Sequence, residues 1–271
     1  MPKIIGSHKR LKRLEENIRS LAPVMVSYSG GMDSSFLLWA CSRVLPPEDV
    51  VAVTCFSPTT PAAEIRDARS TAAMLKVQHH LYPGPEMQNE EFLVNDLLRC
   101  YYCKRERFNF LLSLNSNYPG FRIIEGSVRD DLEDYRPGMR ALTEAGIISP
   151  LLEAGLSKAD IKIIAGENHL TFAGKKSESC LATRIITGQR IEIPVLEQIQ
   201  TSEQALHDLG FHFVRVRCNG GEARLEFIPE DMERAFNQRN EIIRCLRESG
   251  FDRVALDLEG YKVGKGKNKN E

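Results

Sequence analysis

The 271-residue chain has little net charge and no long apolar run. Its 36 Lys and Arg residues nearly balance its 37 Asp and Glu residues, which leaves a formal net charge of −1. A uniformly basic surface for binding nucleic acid is therefore excluded, although a local basic patch is not. No apolar segment approaches the roughly 20 residues that span a bilayer, so we expect no membrane-spanning segment.

Cysteine is too sparse for the framework of a secreted, disulfide-rich protein. The chain has seven cysteines, an odd number. The basic, amphipathic N-terminus lacks the apolar core and small-residue cleavage site of a signal peptide. We therefore expect a reducing, cytoplasmic setting, in which spaced cysteines more often bind a metal or take part in catalysis than form bridges.

Strand-like and helical segments alternate through the N-terminal part of the chain, and the region 131–169 is helical and rich in loops. This order predicts an α/β domain with a doubly wound parallel sheet that is covered on both faces. The expected elements are an amphipathic helix at 4–21, strands at 24–28, 50–56, 77–82 and 121–126, and helices at 34–45, 61–76 and 90–114.

Gly, Ser, Thr and Lys are concentrated in residues 169–194, which predicts a loop and a domain boundary. We place a first domain at 1–185, a smaller α+β domain at 186–262 and a disordered tail at 263–271. The second domain is predicted to contain helices at 196–209 and 230–249, and strands at 212–218, 223–228 and 253–258.

The first predicted strand runs into the stretch SGGMDSS, residues 29–35, and then into an apolar helix. Unpaired backbone N–H groups and the positive end of the helix dipole attract anions to such a corner. Gly30 and Gly31 allow close backbone approach, and Asp33 suits a magnesium ion that bridges phosphates. The stretch matches neither the Walker P-loop nor the G-x-G-x-x-G fingerprint, and an ordinary glycine turn with serine caps is the alternative.

Cys100 and Cys103 form a C-x-x-C pair at the start of a predicted helix, and Cys180 lies much later in the chain. A C-x-x-C pair alone is compatible with redox chemistry, zinc, an iron–sulfur cluster or coincidence. Three thiolates on a [4Fe-4S] cluster leave one iron open, whereas a structural zinc site would need a fourth ligand such as His169. Beside a phosphate-binding loop, the cluster is the interpretation we favour.

The loop resembles the SGGxDS signature of the PP-loop ATP pyrophosphatases, which have an adenine nucleotide alpha hydrolase-like fold and split ATP into AMP and pyrophosphate. Nearly the whole chain resembles the LarE family, through YSGGMDSS, DDLEDYRPGMRALTEAGIISPLLEAGLSKADIK, KKSESCLATRI and VRVRCNGGEARLEF. The resemblance implies an ATP-dependent sulfur transferase. Its substrate would be pyridinium-3,5-biscarboxylic acid mononucleotide, a precursor of the nickel-pincer cofactor of lactate racemase.

Two variants of the family are known. One gives up the sulfur of a single cysteine, here Cys180, and the other binds a [4Fe-4S] cluster through three cysteines. Cys100 and Cys103 favour the cluster variant, and the sacrificial route without a cluster is the alternative. The resemblance also implies a homohexamer built from trimers and a supply of sulfide or another sulfur donor.

Site residues follow from the same resemblance. Lys175 and Lys176 could assist, or could simply be solvated loop lysines, and each arginine could be a solvated charge on a strand face. The implied roles are ATP phosphate binding for Ser29, Gly30, Gly31, Ser34 and Ser35, ATP binding at the carboxyl end of a strand for Gly126, magnesium and ATP binding for Asp33, substrate binding for Arg184, Arg215 and Arg217, catalysis for Asp33 and Cys180, and cluster binding for Cys100, Cys103 and Cys180.

Three other functions remain as alternatives. A tRNA 2-thiolase can also join a PP-loop to three cysteines, but the balanced charge and the absence of zinc-ribbon cysteine pairs speak against nucleic acid as a partner. An amide-forming synthetase would leave the three cysteines without a role. A nucleotide-responsive binding module would retain ATP without cleaving it.

Overall fold

The structure is a computed structural model that describes residues 2–132, 137–175 and 179–261, with only the backbone described at residues 2–4. The chain forms two compact units. Unit 1 comprises Met1–Asn89 and Cys100–Glu178, and unit 2 comprises Glu90–Arg99 and Ser179–Glu271. The division into two domains with a boundary after residue 185 stays a prediction. Within the described ranges, no helix has the length and apolar character needed to cross a membrane.

Unit 1 is built on a four-stranded parallel sheet in the order β3-β2-β1-β4. From β1 the chain steps outward to β2 and then β3, and β4 returns to the other side of β1. This reversal is the topology of a doubly wound sheet, so the predicted fold class is confirmed. The strands are β1 (Val24–Ser27), β2 (Val50–Phe56), β3 (Gln78–Pro83) and β4 (Arg122–Ile124).

The core of unit 1 follows from the apolar pattern of its strands and helices. Strand β2 reads VVAVTCF and is buried along almost its entire length, as expected for a parallel strand covered on both faces. Leu14, Ile18, Phe36 and Leu37 belong to the same fully buried cluster. The helices of the N-terminal half are α1 (Pro2–Leu21), α2 (Met32–Val44), α3 (Ala62–Met74), α4 (Glu90–Leu93) and α5 (Arg99–Ser113), of which α4 belongs to unit 2. They are followed by α6 (Pro137–Glu144), α7 (Pro150–Glu153) and α8 (Lys158–Glu167).

Unit 2 is a small α+β arrangement, as predicted. Its three-stranded sheet has the order β5-β6-β7, with β5 and β6 antiparallel and β7 parallel to β6. Side chains of β5 alternate in burial, so that its arginines share the face opposite to its buried valines. Its elements are α9 (Ile193–Asp208), β5 (Val214–Asn219), β6 (Glu222–Phe227), α10 (Met232–Asn237), α11 (Arg239–Glu248) and β7 (Arg253–Leu256).

Two predicted helices are interrupted in the structure. The helix expected at 90–114 ends at Leu93 and restarts at Arg99. Between them, Asn95 has a positive φ of 60°, a conformation that asparagine tolerates better than most residues. Its buried amide donates to the carbonyls of Ile186 and Gln189, each at 2.9 Å. These bonds within unit 2 compensate for the lost helical turn. The helix expected at 230–249 is likewise divided into α10 and α11, with the break at Gln238.

Candidate functional site

The glycine loop, residues 28–33, leads from β1 into the first two residues of α2 at the carboxyl end of the parallel sheet. Gly31 is the N-cap of α2, with φ −70° and ψ 165°. Because glycine has no side chain, the cap residue itself cannot cover the first N–H groups of the helix. These N–H groups and the helix dipole therefore create a positive potential at the N-terminus of α2 that attracts an anion, as the sequence predicts.

Two close contacts explain why glycine occupies key positions around this loop. Gly30 has a φ of +80°, and a β-carbon there would lie 2.8 Å from the Ala68 β-carbon and 2.9 Å from the Glu64 carbonyl oxygen. Helix α3 therefore packs directly against the loop. Gly126, which follows β4, would place a β-carbon 3.0 Å from the amide nitrogen of Ser34. The loop is consequently enclosed by backbone on two sides.

The hydroxyl groups of the loop are engaged in local hydrogen bonds. The Ser29 hydroxyl accepts from the Gly31 amide at 3.3 Å and lies 3.0 Å from the Ser34 hydroxyl, which donates to the Gly31 carbonyl at 3.1 Å. Ser35 is fully buried, with its hydroxyl 3.2 Å from that of Tyr28. Ser29 and Ser34 thus stabilise the turn, while Ser35 faces the interior. Their roles as phosphate ligands stay predictions.

Asp33 is an acidic residue in the first turn of α2. A carboxylate at this position is favourable beside the positive end of the helix dipole. It is also an oxygen ligand of the kind that magnesium prefers. The residues of the loop therefore fit a magnesium–phosphate group, with backbone amides for the phosphates and Asp33 for the metal.

Helix α5 carries Cys100 and Cys103 one turn apart, so both lie on the same side of the helix. Cys100 is exposed, Cys103 is partly buried, and neither forms a disulfide. Two thiols spaced in this way can share one metal or one cluster edge. The donor set of α5 therefore fits the two-cysteine part of the predicted site.

The helix that bears these cysteines is fixed by buried charge. Arg107 Nε donates to Oε2 of Glu86 at 3.1 Å, and the Glu86 side chain is fully buried. Burial alone would raise the pKa of Glu86, but the hydrogen bonds and charge of Arg107 outweigh it and hold that pKa below its ordinary value. At the first turn, the Tyr101 hydroxyl donates to Glu144 at 2.7 Å.

Cys180 belongs to unit 2 and is a partly buried free thiol. Within residues 2–132, 137–175 and 179–261, no three His, Cys, Asp or Glu side chains gather around a common metal position. The convergence of Cys180 with Cys100 and Cys103 on one cluster therefore stays a prediction. The YRPG segment quoted for the family resemblance begins at residues 135 and 136, which lie outside the described residues.

Arg184 is buried and fixed by ion pairing, with a side chain that is only 4% exposed. Its Nε and Nη2 donate to the two carboxylate oxygens of Glu203 at 2.9 and 3.1 Å. Its Nη1 donates to the Ser179 carbonyl at 2.7 Å and to the Thr183 hydroxyl at 3.1 Å. Arg184 therefore anchors the turn that carries Cys180, and its role as a substrate ligand stays a prediction.

Arg215 and Arg217 lie on the same face of β5 but have different partners. Arg217 binds Glu226 through two hydrogen bonds of 2.9 and 3.1 Å. Arg215 donates to the Tyr261 hydroxyl at 2.7 Å and stacks 4.2 Å from the centre of that ring. Burial and then the neighbouring charge of Arg184 lower the pKa of Arg215. Among the described residues, no carboxylate lies within ion-pair distance of Arg215, so it is the better placed of the two to bind an anion.

Comparison with known proteins identifies the family. An uncharacterized protein of Synechocystis sp. is 34% identical over 262 residues, which cover 94% of this chain and 96% of that protein. The pyridinium-3,5-bisthiocarboxylic acid mononucleotide synthase (LarE) of Lactiplantibacillus plantarum is 31% identical over 249 residues, which cover 92% of this chain and 90% of the synthase. The chain belongs to the LarE family. No protein-family model matches it.

The similarity to the synthase and to the two uncharacterized proteins is not confined to the glycine loop. An uncharacterized protein of Methanocaldococcus jannaschii is 29% identical over 257 residues, 94% of this chain and 98% of that protein. Each of the three alignments covers more than nine tenths of the chain. They therefore include both units, and the predicted family is confirmed.

In this member of the LarE family, Lys175 lies beside the glycine loop, a placement that the sequence does not reveal. Its ammonium group lies 3.0 Å from the carbonyl oxygen of Gly30 and 2.8 Å from Oδ2 of Asp67. Lys175 and Gly30 are separated by 145 positions in the chain. The double lysine in KKSESC indicates a basic segment, but only the fold shows that the first lysine reaches the glycine loop.

Proposed function

We propose that the protein is an ATP-dependent sulfur transferase that converts a carboxylate of pyridinium-3,5-biscarboxylic acid mononucleotide into a thiocarboxylate. The observation that carries this proposal is the glycine loop, closed by Gly126 at the start of α2. A corner of this kind binds the phosphates of a nucleotide. The 31% identity to a synthase named for the bisthiocarboxylic acid supports the choice of substrate.

In the activation step, a carboxylate oxygen of the substrate attacks the α-phosphorus of ATP. The bond between that phosphorus and the bridging oxygen breaks, and pyrophosphate leaves with the electron pair. The amides at the start of α2 would hold the phosphates, and Asp33 would hold a magnesium ion. Magnesium supplies charge neutralisation at the phosphates. The product is an acyl adenylate, whose AMP group is a good leaving group.

In the second step, a sulfur nucleophile attacks the activated carbonyl carbon and AMP leaves, which gives the thiocarboxylate. Cys100, Cys103 and Cys180 would hold a [4Fe-4S] cluster, which when bound supplies an iron without a protein ligand that can carry sulfide. Arg215 and Arg217 would bind the phosphate or the remaining carboxylate of the substrate, since guanidinium groups pair with both. Arg184 would hold the Cys180 turn in place through its hydrogen bonds to Ser179 and Thr183.

Pyrophosphate release tests the activation step. The wild-type protein should release pyrophosphate from ATP when both magnesium and the substrate are present. Asp33→Asn should lower that rate by about 100-fold or more, because the metal loses its charged protein ligand. Asp49→Asn is the matched control, since Asp49 precedes β2 at the opposite end of the parallel strands. Equal rates for Asp33→Asn and the wild type would contradict the magnesium role.

The sulfur source is tested by iron and acid-labile sulfide content after anaerobic purification. Single alanine substitutions of Cys100, Cys103 and Cys180 should each remove the iron and stop sulfur transfer, while pyrophosphate release persists. Cys245→Ala, at a partly buried cysteine in α11, should change neither property. A wild-type protein without iron, whose mass falls by one hydrogen sulfide after a single turnover, would instead establish the sacrificial route at Cys180.

A further inference from the structure

The side chain of Lys175 reaches the glycine loop from outside it. Its ammonium group bonds to the Gly30 carbonyl at 3.0 Å and to Asp67 Oδ2 at 2.8 Å. The lysine side chain is only 17% exposed, whereas that of Asp67 is 53% exposed. The contact therefore places a largely buried positive charge directly beside a loop that is shaped for an anion.

The glycine loop itself supplies no cationic side chain. Its sequence, YSGGMD, carries one carboxylate and no lysine or arginine. Helix α3, which packs on the loop, adds the carboxylate of Asp67. Two carboxylates beside a phosphate site are unfavourable unless cations balance them. Magnesium at Asp33 would balance one, and Lys175 is positioned to balance the other and the phosphates.

Lys175 can donate to a further partner, either through the N–H group that its two present contacts leave over or in exchange for Asp67. An ammonium group has three N–H donors, and Gly30 and Asp67 use two of them. The ion pair with Asp67 is also easily exchanged, because a carboxylate that is half exposed regains its hydration when the lysine moves away. A compact ammonium on a flexible stem is a common ligand for phosphate.

We propose that Lys175 binds the pyrophosphate portion of ATP at the glycine loop and stabilises pyrophosphate as it leaves, with Asp67 as its partner when the site is empty. This inference rests on the proposed function. When the bond between the α-phosphorus and the bridging oxygen breaks, the electron pair stays on the pyrophosphate. The ammonium charge of Lys175 offsets the resulting negative charge, and no proton has to move.

The competing explanation is that Lys175 is a structural clamp that only fastens α3 to the loop. The two roles differ in what they require of Asp67. A clamp needs both partners, so Asp67→Asn should be as harmful as Lys175→Met. If Lys175 binds phosphate, Asp67 competes with the phosphate for the ammonium group, and neutralising Asp67 removes that competition. The Asp67→Asn variant should then bind pyrophosphate as tightly as the wild type or more tightly.

The experiment measures binding of magnesium pyrophosphate and of AMP by calorimetry, together with pyrophosphate release, in the wild type, Lys175→Met, Lys175→Arg and Asp67→Asn. We expect Lys175→Met to weaken pyrophosphate binding by about tenfold and to slow its release from ATP by about 100-fold. AMP lacks the groups that Lys175 would contact, so its affinity should not change. Lys175→Arg should recover part of both losses, and thermal unfolding checks that each variant is folded.

These measurements test the role of Lys175 separately from the proposed function. If the wild-type protein releases no pyrophosphate, the proposed function fails, but the pyrophosphate affinities still test Lys175. If Lys175→Met binds pyrophosphate as well as the wild type, the inference is overturned. It is equally overturned if Asp67→Asn loses as much affinity as Lys175→Met. Should Lys175→Met not fold, the affinity of folded Asp67→Asn decides between ligand and clamp.

Discussion

The backbone of Gly126 lies directly against that of Ser34: a β-carbon at position 126 would stand 3.0 Å from both the amide nitrogen and the α-carbon of Ser34. This distance is shorter than in nine of ten real β-carbon contacts, so with a larger residue at position 126 one of the two backbone segments has to shift by a few tenths of an ångström. The chain after β4 thereby sets the position of the first turn of α2. The shape of the proposed phosphate site depends on this contact.

Gly126→Ala should therefore weaken magnesium–ATP binding by at least about tenfold, because the first backbone N–H groups of α2 would no longer point at the same phosphate position. The matched control is Gly166→Ala in α8, where a β-carbon would meet nothing within 4 Å. That control should keep ATP affinity and gain up to about 1 kcal/mol of stability from helix propensity. Calorimetric titration with ATP distinguishes the two variants, and unchanged affinity in Gly126→Ala would show that the contact is not needed.

The parts of the fold that were predicted well from the sequence depend on local patterns. Strand β2 occupies 50–56 as predicted, because a continuous buried apolar run has clear ends. The glycine loop is predictable because glycines, an aspartate and serines at a strand-to-helix junction have a direct physical meaning. Motifs distributed along nearly the whole chain predict the family.

Contacts between distant residues could not be predicted in this way. The break at Asn95 depends on carbonyls about 90 positions later, and the partner of Lys175 lies 145 positions earlier. The buried partner of Arg184, Glu203, is 19 positions away on another element, and its pairing with Arg184 is not visible in the sequence. A single sequence does not show which of several acidic residues an arginine will meet.

The buried pair of Glu86 and Arg107 gives a stability prediction for unit 1. Glu86→Gln should lower the free energy of unfolding by about 3 kcal/mol, because Arg107 keeps a charge that has lost its buried counterion. Glu90→Gln is the matched control: Glu90 also makes two bonds to an arginine, Arg190, but that pair is exposed. Urea titration should show only a small change in the control. Similar losses in both variants would contradict the importance of burial.

A pH prediction follows from His79. Its Nε2 donates to the Thr54 hydroxyl at 2.8 Å, because that hydroxyl already donates to the Tyr28 carbonyl at 2.6 Å. Burial, followed by the charges of His80 and Arg69, lowers the pKa of His79 to about 4. The unfolded chain has the ordinary histidine pKa of about 6.5, so between these values it binds more protons than the folded state.

The stability contributed by neutral His79 should therefore be complete above about pH 6.5 and decline as the pH falls towards about 4. His79→Gln keeps an N–H donor but cannot titrate. Urea unfolding of both proteins across this range should show a smaller loss of stability on acidification in the variant. Parallel curves for the two proteins would exclude the titration of His79 as a cause.

Arg184 and Arg215 are predicted to respond differently to the same substitution. Arg184 uses its guanidinium within unit 2, on Glu203 and on the turn that carries Cys180. Arg215 contacts Tyr261 instead of a carboxylate: it donates to the tyrosine hydroxyl and stacks on the tyrosine ring. Lysine keeps the positive charge in both cases but cannot reproduce a two-point arginine contact. Comparing the two lysine variants therefore separates a residue that holds the protein together from one that is available to the substrate.

Arg184→Lys should lower the free energy of unfolding by about 3 kcal/mol, because a buried carboxylate loses its two-point partner. It should also reduce kcat for sulfur transfer, since the Cys180 turn loses the bonds from Nη1 to Ser179 and Thr183. Arg215→Lys should change stability little and raise the KM for the pyridinium substrate, which points to lost binding of an anion. Urea titration and steady-state kinetics on the same preparations give both quantities. A raised KM with unchanged stability in Arg184→Lys would return Arg184 to the substrate-binding role that the sequence suggests.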